Sequence, residues 1–309
     1  MGSPRAATEE DPGERFVIEA ARAAAGQGAV VGIGDDGAEL PDGTVVTVDT
    51  MVEGVHWDER LSPADVGFKL VATNISDLDA MGARPSWAVL ALSLPTPLDR
   101  DWVTEFFSGF AEARSRWPFV LAGGDTTRSP GPRVASLTLA GRAARTCLRS
   151  GAAPGETIWV SGELGLAAEG FASTRTRPEA LRALKRPSVP APLGARLAEE
   201  GLATAMIDLS DGLARDLTRL CRASGVGALV DPFVLPTRSG LAQAVAFGED
   251  YQLCFTASPS RRALIESLSS ATGVALTAIG TTTPEPEIRL LGHHEWPSPQ
   301  FDHFTGCSS

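Results

Sequence analysis

The residues of this sequence whose types and spacing could do chemistry are acidic side chains next to apolar segments. They are Asp35 and Asp36 after AVVGIG, Asp49 after TVVTV, Asp77 in NISDLDAMGA, Asp125 after FVLAGG, Asp208 and Asp211 in IDLSDG, and Glu249 and Asp250 in FGEDY. Any one of them, taken alone, is most simply a turn or helix cap, since aspartate favours both roles. Carboxylates are also the ligands that Mg²⁺ takes in proteins, where the ion usually binds substrate phosphates as well. Taken together, the pattern favours a magnesium and phosphate site.

The segment GIGDDG, residues 32 to 37, has the glycine spacing of a dinucleotide-binding turn. Such a turn contacts pyrophosphate through backbone N–H groups, and two aspartates at that point argue against an NAD-dependent oxidoreductase. A metal ion between the aspartates and a phosphate removes the conflict. A non-catalytic, acidic metal-binding protein remains an alternative that the spacing does not exclude.

Several familiar catalytic motifs are missing from the sequence. Neither Lys69 nor Lys185 follows a glycine, so there is no Walker loop, and the H-R-D and D-F-G motifs of protein kinases are absent. The sequence also lacks H-E-x-x-H and G-x-S-x-G. The doublet His293–His294 is typical of a solvated loop.

The composition favours a globular protein that does not bind nucleic acid. Hydrophobic residues make up 43% of the 309 residues, and the net charge is −11, whereas phosphate neutralisation needs clustered Lys and Arg. The four cysteines form no C-x-x-C pair, which favours a reducing compartment. No apolar run approaches the ~18 residues of a membrane span, and the acidic start is unlike a signal peptide. We therefore expect a cytoplasmic protein.

The elements that must position these residues follow from hydrophobic periodicity and turn residues. Helices are predicted over 13–26, from Ser62 as N-cap to Gly82, over 99–117, in the later part of 203–225, and over 261–271. Strands are predicted at 29–34, 44–50, 86–95, 133–143, 227–236, 251–257 and 274–280, with FVLAGGDTT and TIWVSGELG each a strand that runs into a glycine turn. The turn-rich stretch TCLRSGAAPGE, residues 146 to 156, predicts a domain boundary in a two-domain α+β or mixed fold.

Eight motifs occur in an order that resembles the thiamine-monophosphate kinase family. They are GIGDDGAEL, VDTMVEGVHW, NISDLDAMGARPSW, LAGGDTTR, GRAARTCLRSGAAPGE, MIDLSDGLARDL, FGEDYQLCF and FDHF, and the match runs from about residue 14 to 304. The resemblance implies an aminoimidazole ribonucleotide synthetase-like fold. A β-rich N-terminal domain, residues 14–145, would have helices on one side, bind metal and ATP, and form the homodimer. An α/β-sandwich C-terminal domain, residues 146–309, would complete the ATP and substrate site.

The resemblance further implies that the protein phosphorylates thiamine monophosphate with ATP and several Mg²⁺ ions, giving thiamine diphosphate. The implied metal ligands are Asp36, Thr47, Val48 through its backbone carbonyl, Asp49, Asp77, Asp125, Asp208 and Asp211. Asp49, Asp125 and Asp211 are the implied catalytic residues. Gly124, Arg149 and Ser210 match ATP contacts, and His56, Glu249 or Asp250, and Phe301 match contacts to thiamine phosphate.

Two departures from the family pattern concern Val48, where a Thr is frequent, and Phe247–Gly248, where two glycines are frequent. The first removes a hydroxyl, the second narrows the implied substrate pocket, and Phe301 keeps a stacking face without the hydroxyl of a Tyr.

Related families fit less well. A selenophosphate synthetase needs a reactive residue near its N-terminus, but no cysteine precedes Cys147, and a carbamoyl dehydratase ends in Cys, whereas this chain ends CSS. Aminoimidazole ribonucleotide synthetase itself fits the local motifs less well.

Overall fold

The structure, a computed structural model, describes residues 12–172 and 177–292. In chain order the elements are α1 (Pro12–Ala24), β1 (Ala38–Glu39), β2 (Thr44–Val52), α2 (Pro63–Ala80), β3 (Ala83–Leu94), α3 (Arg100–Arg116), β4 (Val120–Arg128), β5 (Val134–Ala143), β6 (Thr157–Ser161), α4 (Leu166–Ala172), α5 (Pro178–Lys185), α6 (Leu193–Glu199), β7 (Ala205–Asp208), α7 (Leu213–Ser224), β8 (Gly227–Val230), α8 (Leu241–Ala246), β9 (Leu253–Ala257), α9 (Arg262–Thr272), β10 (Leu276–Thr283) and β11 (Ile288–Leu290). No helix within the described ranges is long and apolar enough to cross a membrane.

The chain divides into two units. The N-terminal unit contains residues 29–146 together with residues 185–199, and the C-terminal unit contains the other described residues. The assignment of separate roles to a domain before residue 146 and a domain after it stays a prediction. The mixed arrangement of sheets and helices confirms the predicted α+β fold class.

The N-terminal unit is built on a five-stranded sheet in the order β1-β2-β5-β3-β4, in which only β3 and β4 run parallel. Helix α2 packs against β2, β5 and β3, and almost every one of its residues is buried. Ser62 begins this helix with a capping box, since its hydroxyl accepts the Asp65 N–H while Asp65 accepts the Ser62 N–H. The predicted N-cap is therefore confirmed.

Helices α2 and α3 approach so closely that glycine is required on both. A Cβ atom at Gly67 would lie 2.1 Å from the Phe106 carbonyl oxygen, and one at Gly109 would lie 1.8 Å from the Ala64 carbonyl oxygen. These distances are far below van der Waals contact, so the two backbones touch directly. The contact fixes the position of α2 and of the polar residues at its C-terminal end.

Residues 185–199, which we call the 185–199 segment, belong to the N-terminal unit although they follow it by some forty residues in the chain. Near its start, Arg186 donates to Asp65 on α2 (2.7 Å) and to Glu112 on α3. Near its end, the buried carboxylate of Asp79 accepts the N–H groups of Gly194 (2.9 Å) and Ala195. Burial raises the pKa of Asp79 to about 6, although these two N–H groups oppose the shift. The segment is thus attached along α2 at both ends.

The C-terminal unit contains a six-stranded sheet in the order β11-β8-β10-β6-β9-β7. Helix α7 buries Leu213, Leu217 and Leu220 in the core beneath this sheet, and Gly225 ends the helix in the left-handed conformation. The predicted helix and its glycine end are confirmed. At the edge of this core, backbone hydrogen bonds join two polar turns, at residues 208–212 and 247–252.

Several expectations from the sequence are corrected by the structure. Residues 29–34 form isolated bridges rather than a strand, because Val31 pairs only with Glu39 and Ile33 with Asp35. Strand β2 continues past Asp49 to Val52, and β4 continues through GGDTTR to Arg128, so both aspartates lie inside strands. In the segment 227–236 only Gly227–Val230 is a strand. The first helix ends at Ala24 rather than Gly26.

Candidate active site

An aspartate pair stands at the junction of the GDDG loop with helix α2. One carboxylate oxygen of Asp36 and one of Asp77 lie within 4.8 Å of each other. Two unit charges at this separation repel by roughly 3 kcal/mol at an effective dielectric of 20, so a cation between them is favoured. Carboxylate oxygens are the donors that Mg²⁺ prefers, so this donor set fits that ion.

The loop that carries Asp36 lies directly against strand β2. A Cβ atom at Gly37 would lie 3.0 Å from the Val46 carbonyl oxygen and 3.1 Å from the Thr47 methyl carbon. Thr47 is buried, and its hydroxyl donates to Asn74 Oδ1 on α2 at 3.3 Å. The predicted ligand Thr47 therefore has its side chain directed into the protein, where its hydroxyl bonds to α2.

The strand residues predicted to bind metal do not all face one way. Across the sheet, Asp49 pairs with Leu137 and Leu137 with Leu90, both buried, whereas Asp125 pairs with Ala91, which is exposed. Directly paired residues point to the same face of a sheet. Within one copy, Asp49 therefore faces the side covered by α2 and Asp125 faces the opposite, exposed side.

Two further predicted residues of the N-terminal unit lie near these strands. A Cβ atom at Gly124 would lie 1.8 Å from the Leu90 carbonyl oxygen, so only glycine fits there. His56 lies in the turn after β2, where its Nδ1 accepts the Val52 N–H at 3.0 Å. A neutral imidazole that accepts through Nδ1 carries its proton on Nε2.

In the C-terminal unit, the turn IDLSDG holds three predicted residues. Asp208 ends β7 and is buried, and Ser210 Oγ lies 3.5 Å from Asp208 Oδ1. The Asp211 carboxylate lies 2.5 Å from Arg219 Nη1, and the Asp211 N–H donates to Asp216. These contacts fix the backbone and the side chain of Asp211 independently.

Asp216 and Arg219 on α7 are residues that the sequence reasoning missed. Asp216 is completely buried, and burial followed by the charge of Asp211 raises its pKa. Arg219 donates to Asp216 at 3.1 Å as well as to Asp211, and it lies 3.7 Å from Glu14 on α1. The charge of the half-buried Arg149, a predicted ATP contact, also acts on Asp216. The sequence signal that could have pointed to them is a pair of opposite charges three residues apart on the amphipathic helix that follows Asp211.

The loop FGEDY packs onto this turn. A Cβ atom at Gly248 would lie 2.0 Å from the Ser210 carbonyl oxygen, and the Glu249 N–H donates to that same oxygen at 2.8 Å. Glu249 has a φ of 68° and is half-buried. A positive φ outside glycine is costly and is kept where the surroundings impose it.

Asp250, the alternative to Glu249, is directed into the protein. Its side chain is buried, and its carboxylate accepts the Gly165 N–H at 2.9 Å. Burial raises its pKa to about 8, although the N–H groups of Gly165 and Ala167 oppose the shift. Asp250 is therefore held by the backbone of the C-terminal unit, whereas the role of Glu249 as a substrate contact stays a prediction. The predicted contact Phe301, like His293 and His294, lies outside the described residues.

Similarity to known proteins identifies the family. Residues 26–143 match the N-terminal domain of AIR synthase related proteins, and residues 153–293 match the C-terminal domain. The thiamine-monophosphate kinase of Escherichia coli (strain K12) is 37% identical over 280 residues, covering 83% of this chain and 85% of that protein. The chain belongs to the thiamine-monophosphate kinase family. The predicted resemblance and the predicted class of enzyme, a thiamine-phosphate kinase, are confirmed.

Solved structures of the thiamine-monophosphate kinase family share this fold over most of the chain. The enzyme from Stenotrophomonas maltophilia K279a is 35% identical, with a TM-score of 0.76 over 91% of this chain and 96% of that chain. AaThiL, complexed with AMPPCP and TMP, is 26% identical, with a TM-score of 0.80 over 92% of this chain and 94% of that chain.

Proposed function

We propose that this protein transfers the γ-phosphoryl group of ATP to thiamine monophosphate, giving thiamine diphosphate, in a direct in-line reaction assisted by several Mg²⁺ ions. The observation that carries the proposal is family membership together with AaThiL complexed with AMPPCP, an ATP analogue, and TMP. The aspartate pair Asp36 and Asp77 supports the metal requirement. No phosphorylated enzyme forms in this scheme.

The acceptor needs no strong base in this reaction. A phosphate monoester has a second pKa near 6, so its attacking oxygen is already mostly ionised at neutral pH. The obstacle is repulsion between two polyanions, since two unit charges 4 Å apart repel by about 4 kcal/mol at an effective dielectric of 20. When bound, Mg²⁺ neutralises phosphate charge and aligns the phosphates. The task of the protein is therefore positioning and charge compensation.

The proposal divides the predicted residues by role. Metal ions would be held by Asp36, Asp49, Asp77, Asp125, Asp208 and Asp211, with backbone carbonyls of Thr47 and Val48 as further ligands. Among these, Asp49, Asp125 and Asp211 are the residues on which catalysis depends most. The backbone at Gly124 together with Arg149 and Ser210 would contact ATP, and Glu249 and Phe301 would contact thiamine phosphate.

We assign His56 to the acceptor phosphate. Its Nδ1 is occupied by the Val52 N–H, so its Nε2–H is the group that donates to a phosphate oxygen. Replacing His56 by Ala would raise the KM for thiamine monophosphate and leave the KM for ATP close to that of the wild type. An unchanged KM for the acceptor would remove His56 from this role.

We further propose a homodimer formed through the exposed face of the N-terminal sheet. Val48, Trp87, Val89 and Val120 lie on that face and are between 36% and 62% exposed. A contiguous apolar face of this kind is typical of an interface between subunits. Because Asp125 lies on the same face, the dimer would carry Asp125 of each copy to a site in its partner.

A single assay tests the reaction. Incubation with ATP, Mg²⁺ and thiamine monophosphate should give thiamine diphosphate and ADP in equal amounts, and omission of Mg²⁺ should abolish both products. Terminally radiolabelled ATP without acceptor should leave the protein unlabelled, since the transfer is direct. A labelled protein would contradict direct transfer, and no thiamine diphosphate would contradict the proposed function itself.

A further inference from the structure

We infer that Asn74 is a positioning residue for metal binding, acting through Thr47. The side chain of Asn74 connects α2 to β2 and thereby sets where Asp77 lies relative to the GDDG loop. The inference rests on the proposed magnesium site and goes beyond it, because neither Asn74 nor the Thr47 hydroxyl is expected to touch the metal.

The amide of Asn74 has no contact with solvent, and both its nitrogen and its oxygen are hydrogen-bonded within the protein. Its Nδ2 donates to the Leu70 carbonyl oxygen at 2.9 Å, and its Oδ1 accepts the Thr47 hydroxyl at 3.3 Å. Asparagine is a poor residue inside a helix, and a buried amide is unfavourable unless it is hydrogen-bonded. An apolar residue would fill this place at lower cost, so the amide is explained by the link it makes to β2.

Thr47 extends that link to the loop. Its methyl group lies beneath Gly37, where a Cβ atom would approach to 3.1 Å, while its hydroxyl bonds to Asn74. Asp36 directly precedes Gly37. Both faces of the Thr47 side chain are thus used, one for the loop and one for the helix.

Asp77 lies three residues after Asn74, which places both on the same side of α2. The path from Gly37 through Thr47 and Asn74 to Asp77 therefore joins the two ends of the aspartate pair. Two carboxylates within 4.8 Å repel each other, so their separation must be imposed by their supports. Loss of the Thr47–Asn74 bond should let the pair relax apart and weaken cation binding.

The experiment compares Thr47→Val, Thr47→Ser and Asn74→Ala with the wild type. Binding of Mn²⁺, as a paramagnetic substitute for Mg²⁺, is measured by electron paramagnetic resonance without nucleotide, and the rise in Tm on adding Mg²⁺ is measured in parallel. We expect Thr47→Val and Asn74→Ala to weaken Mn²⁺ binding by about 10-fold or more, the range seen when supports of metal ligands are removed. Thr47→Ser keeps the hydroxyl and should bind Mn²⁺ within about threefold of the wild type.

Thr73→Val is the matched control. The Thr73 hydroxyl is buried on the same helix and bonds at 3.1 Å to the Leu70 carbonyl oxygen, the same acceptor that Asn74 uses, without a link to β2. Its replacement should lower Tm but leave Mn²⁺ affinity unchanged. The double variant Thr47→Val with Asn74→Ala should bind Mn²⁺ no more weakly than Asn74→Ala alone, because both changes break one bond.

Three results would overturn the inference: Mn²⁺ affinity unchanged in Thr47→Val, an equal loss in Thr73→Val, or additive losses in the double variant. Thr47→Val preserves side-chain shape, so the test holds even where Asn74→Ala fails to fold. A wild-type protein that binds no Mn²⁺ would instead contradict the proposed magnesium site, which distinguishes the two failures.

Discussion

At the scale of single residues, the proposed reaction depends on carboxylates whose replacement by the isosteric amide removes charge without removing volume. We predict that Asp49→Asn and Asp125→Asn each lower kcat by two or more orders of magnitude, measured by thiamine diphosphate formation at saturating ATP. Metal ligands of phosphoryl-transfer enzymes compensate the charge that the transition state must bear. Asp42→Asn is the control, because Asp42 caps an exposed turn at Thr44 and should leave kcat unchanged. Activity within a few-fold of the wild type in both variants would contradict the assignment of Asp49 and Asp125 as catalytic metal ligands.

Asp250 gives a prediction on pH and stability. Its pKa is raised from 3.8 to about 8, so the folded protein keeps a proton that the unfolded chain has already released. The protonated Asp250 carboxyl therefore makes its full contribution to the free energy of unfolding below about pH 4, and this contribution is lost as pH rises towards 8. The free energy of unfolding of the wild type, relative to Asp250→Asn, should therefore fall by on the order of 1 kcal/mol per pH unit between pH 5 and 7. Urea unfolding of both proteins measures this difference, and a flat difference would refute the raised pKa.

The sequence singled out the candidate carboxylates more readily than the residues that hold them in place. The aspartates stand out because several of them follow apolar segments in one acidic chain. Asn74, Asp216 and Arg219 escaped a functional assignment because their importance lies in partners that only the fold brings near, across gaps of 27, 5 and 8 residues. For the same reason the sequence did not separate Glu249 from Asp250, whereas the structure shows Asp250 bonded to Gly165, 85 residues away.

At the scale of elements, the close approach of α2 and α3 should be intolerant of even one methyl group. We predict that Gly67→Ala and Gly109→Ala each lower the free energy of unfolding by about 2–4 kcal/mol, because each Cβ would overlap a carbonyl oxygen of the facing helix. In Gly131→Ala the new Cβ meets nothing within 4 Å, and the change should stay within about 0.5 kcal/mol. Guanidinium unfolding followed by circular dichroism compares the three, and equal stabilities would contradict the contact.

Elements with a strong local signal were predictable, and short ones were not. Helix α2 has Ser62 as cap and Pro63 at its first position, and α7 has a clear apolar stripe ended by Gly225, so local chemistry alone defines them. The seven-residue helices α4 and α6 and the six-residue α8 lack such signals and are held by tertiary contacts. In β4 the glycines suggested a turn, but pairing with β3 keeps the strand extended through them.

At the scale of the whole molecule, the opposite orientation of Asp49 and Asp125 within one copy predicts complementation. Asp49→Asn and Asp125→Asn should each be nearly inactive alone. After subunit exchange, random pairing makes half of the dimers mixed, and each mixed dimer contains one site with both changes and one intact site. Mixing should therefore restore about a quarter of wild-type activity, given a twofold-symmetric dimer. No recovery after verified exchange would show that each site uses residues of a single copy.

The control for complementation breaks the interface itself. Val48→Asp and Val120→Asp each put a charge on the exposed sheet face without entering the core, and sedimentation should show monomers where the wild type sediments as a dimer. Monomeric wild-type protein would contradict the proposed assembly. The predicted cytoplasmic location and the predicted lack of nucleic-acid binding remain predictions.

The attachment of the 185–199 segment along α2 has a consequence for biosynthesis. When the ribosome has released residue 146, every strand of the N-terminal sheet has been made, yet the N–H partners of Asp79 and the guanidinium that binds Asp65 are still to come. Domains generally fold as units during synthesis, and the ribosome adds about 5–20 residues per second. For several seconds after the sheet has been synthesised, the Asp79 carboxylate therefore lacks the two N–H groups that bind it in the folded protein. A gene truncated after codon 146 would encode an N-terminal unit without the 185–199 segment, and we expect that unit not to fold stably.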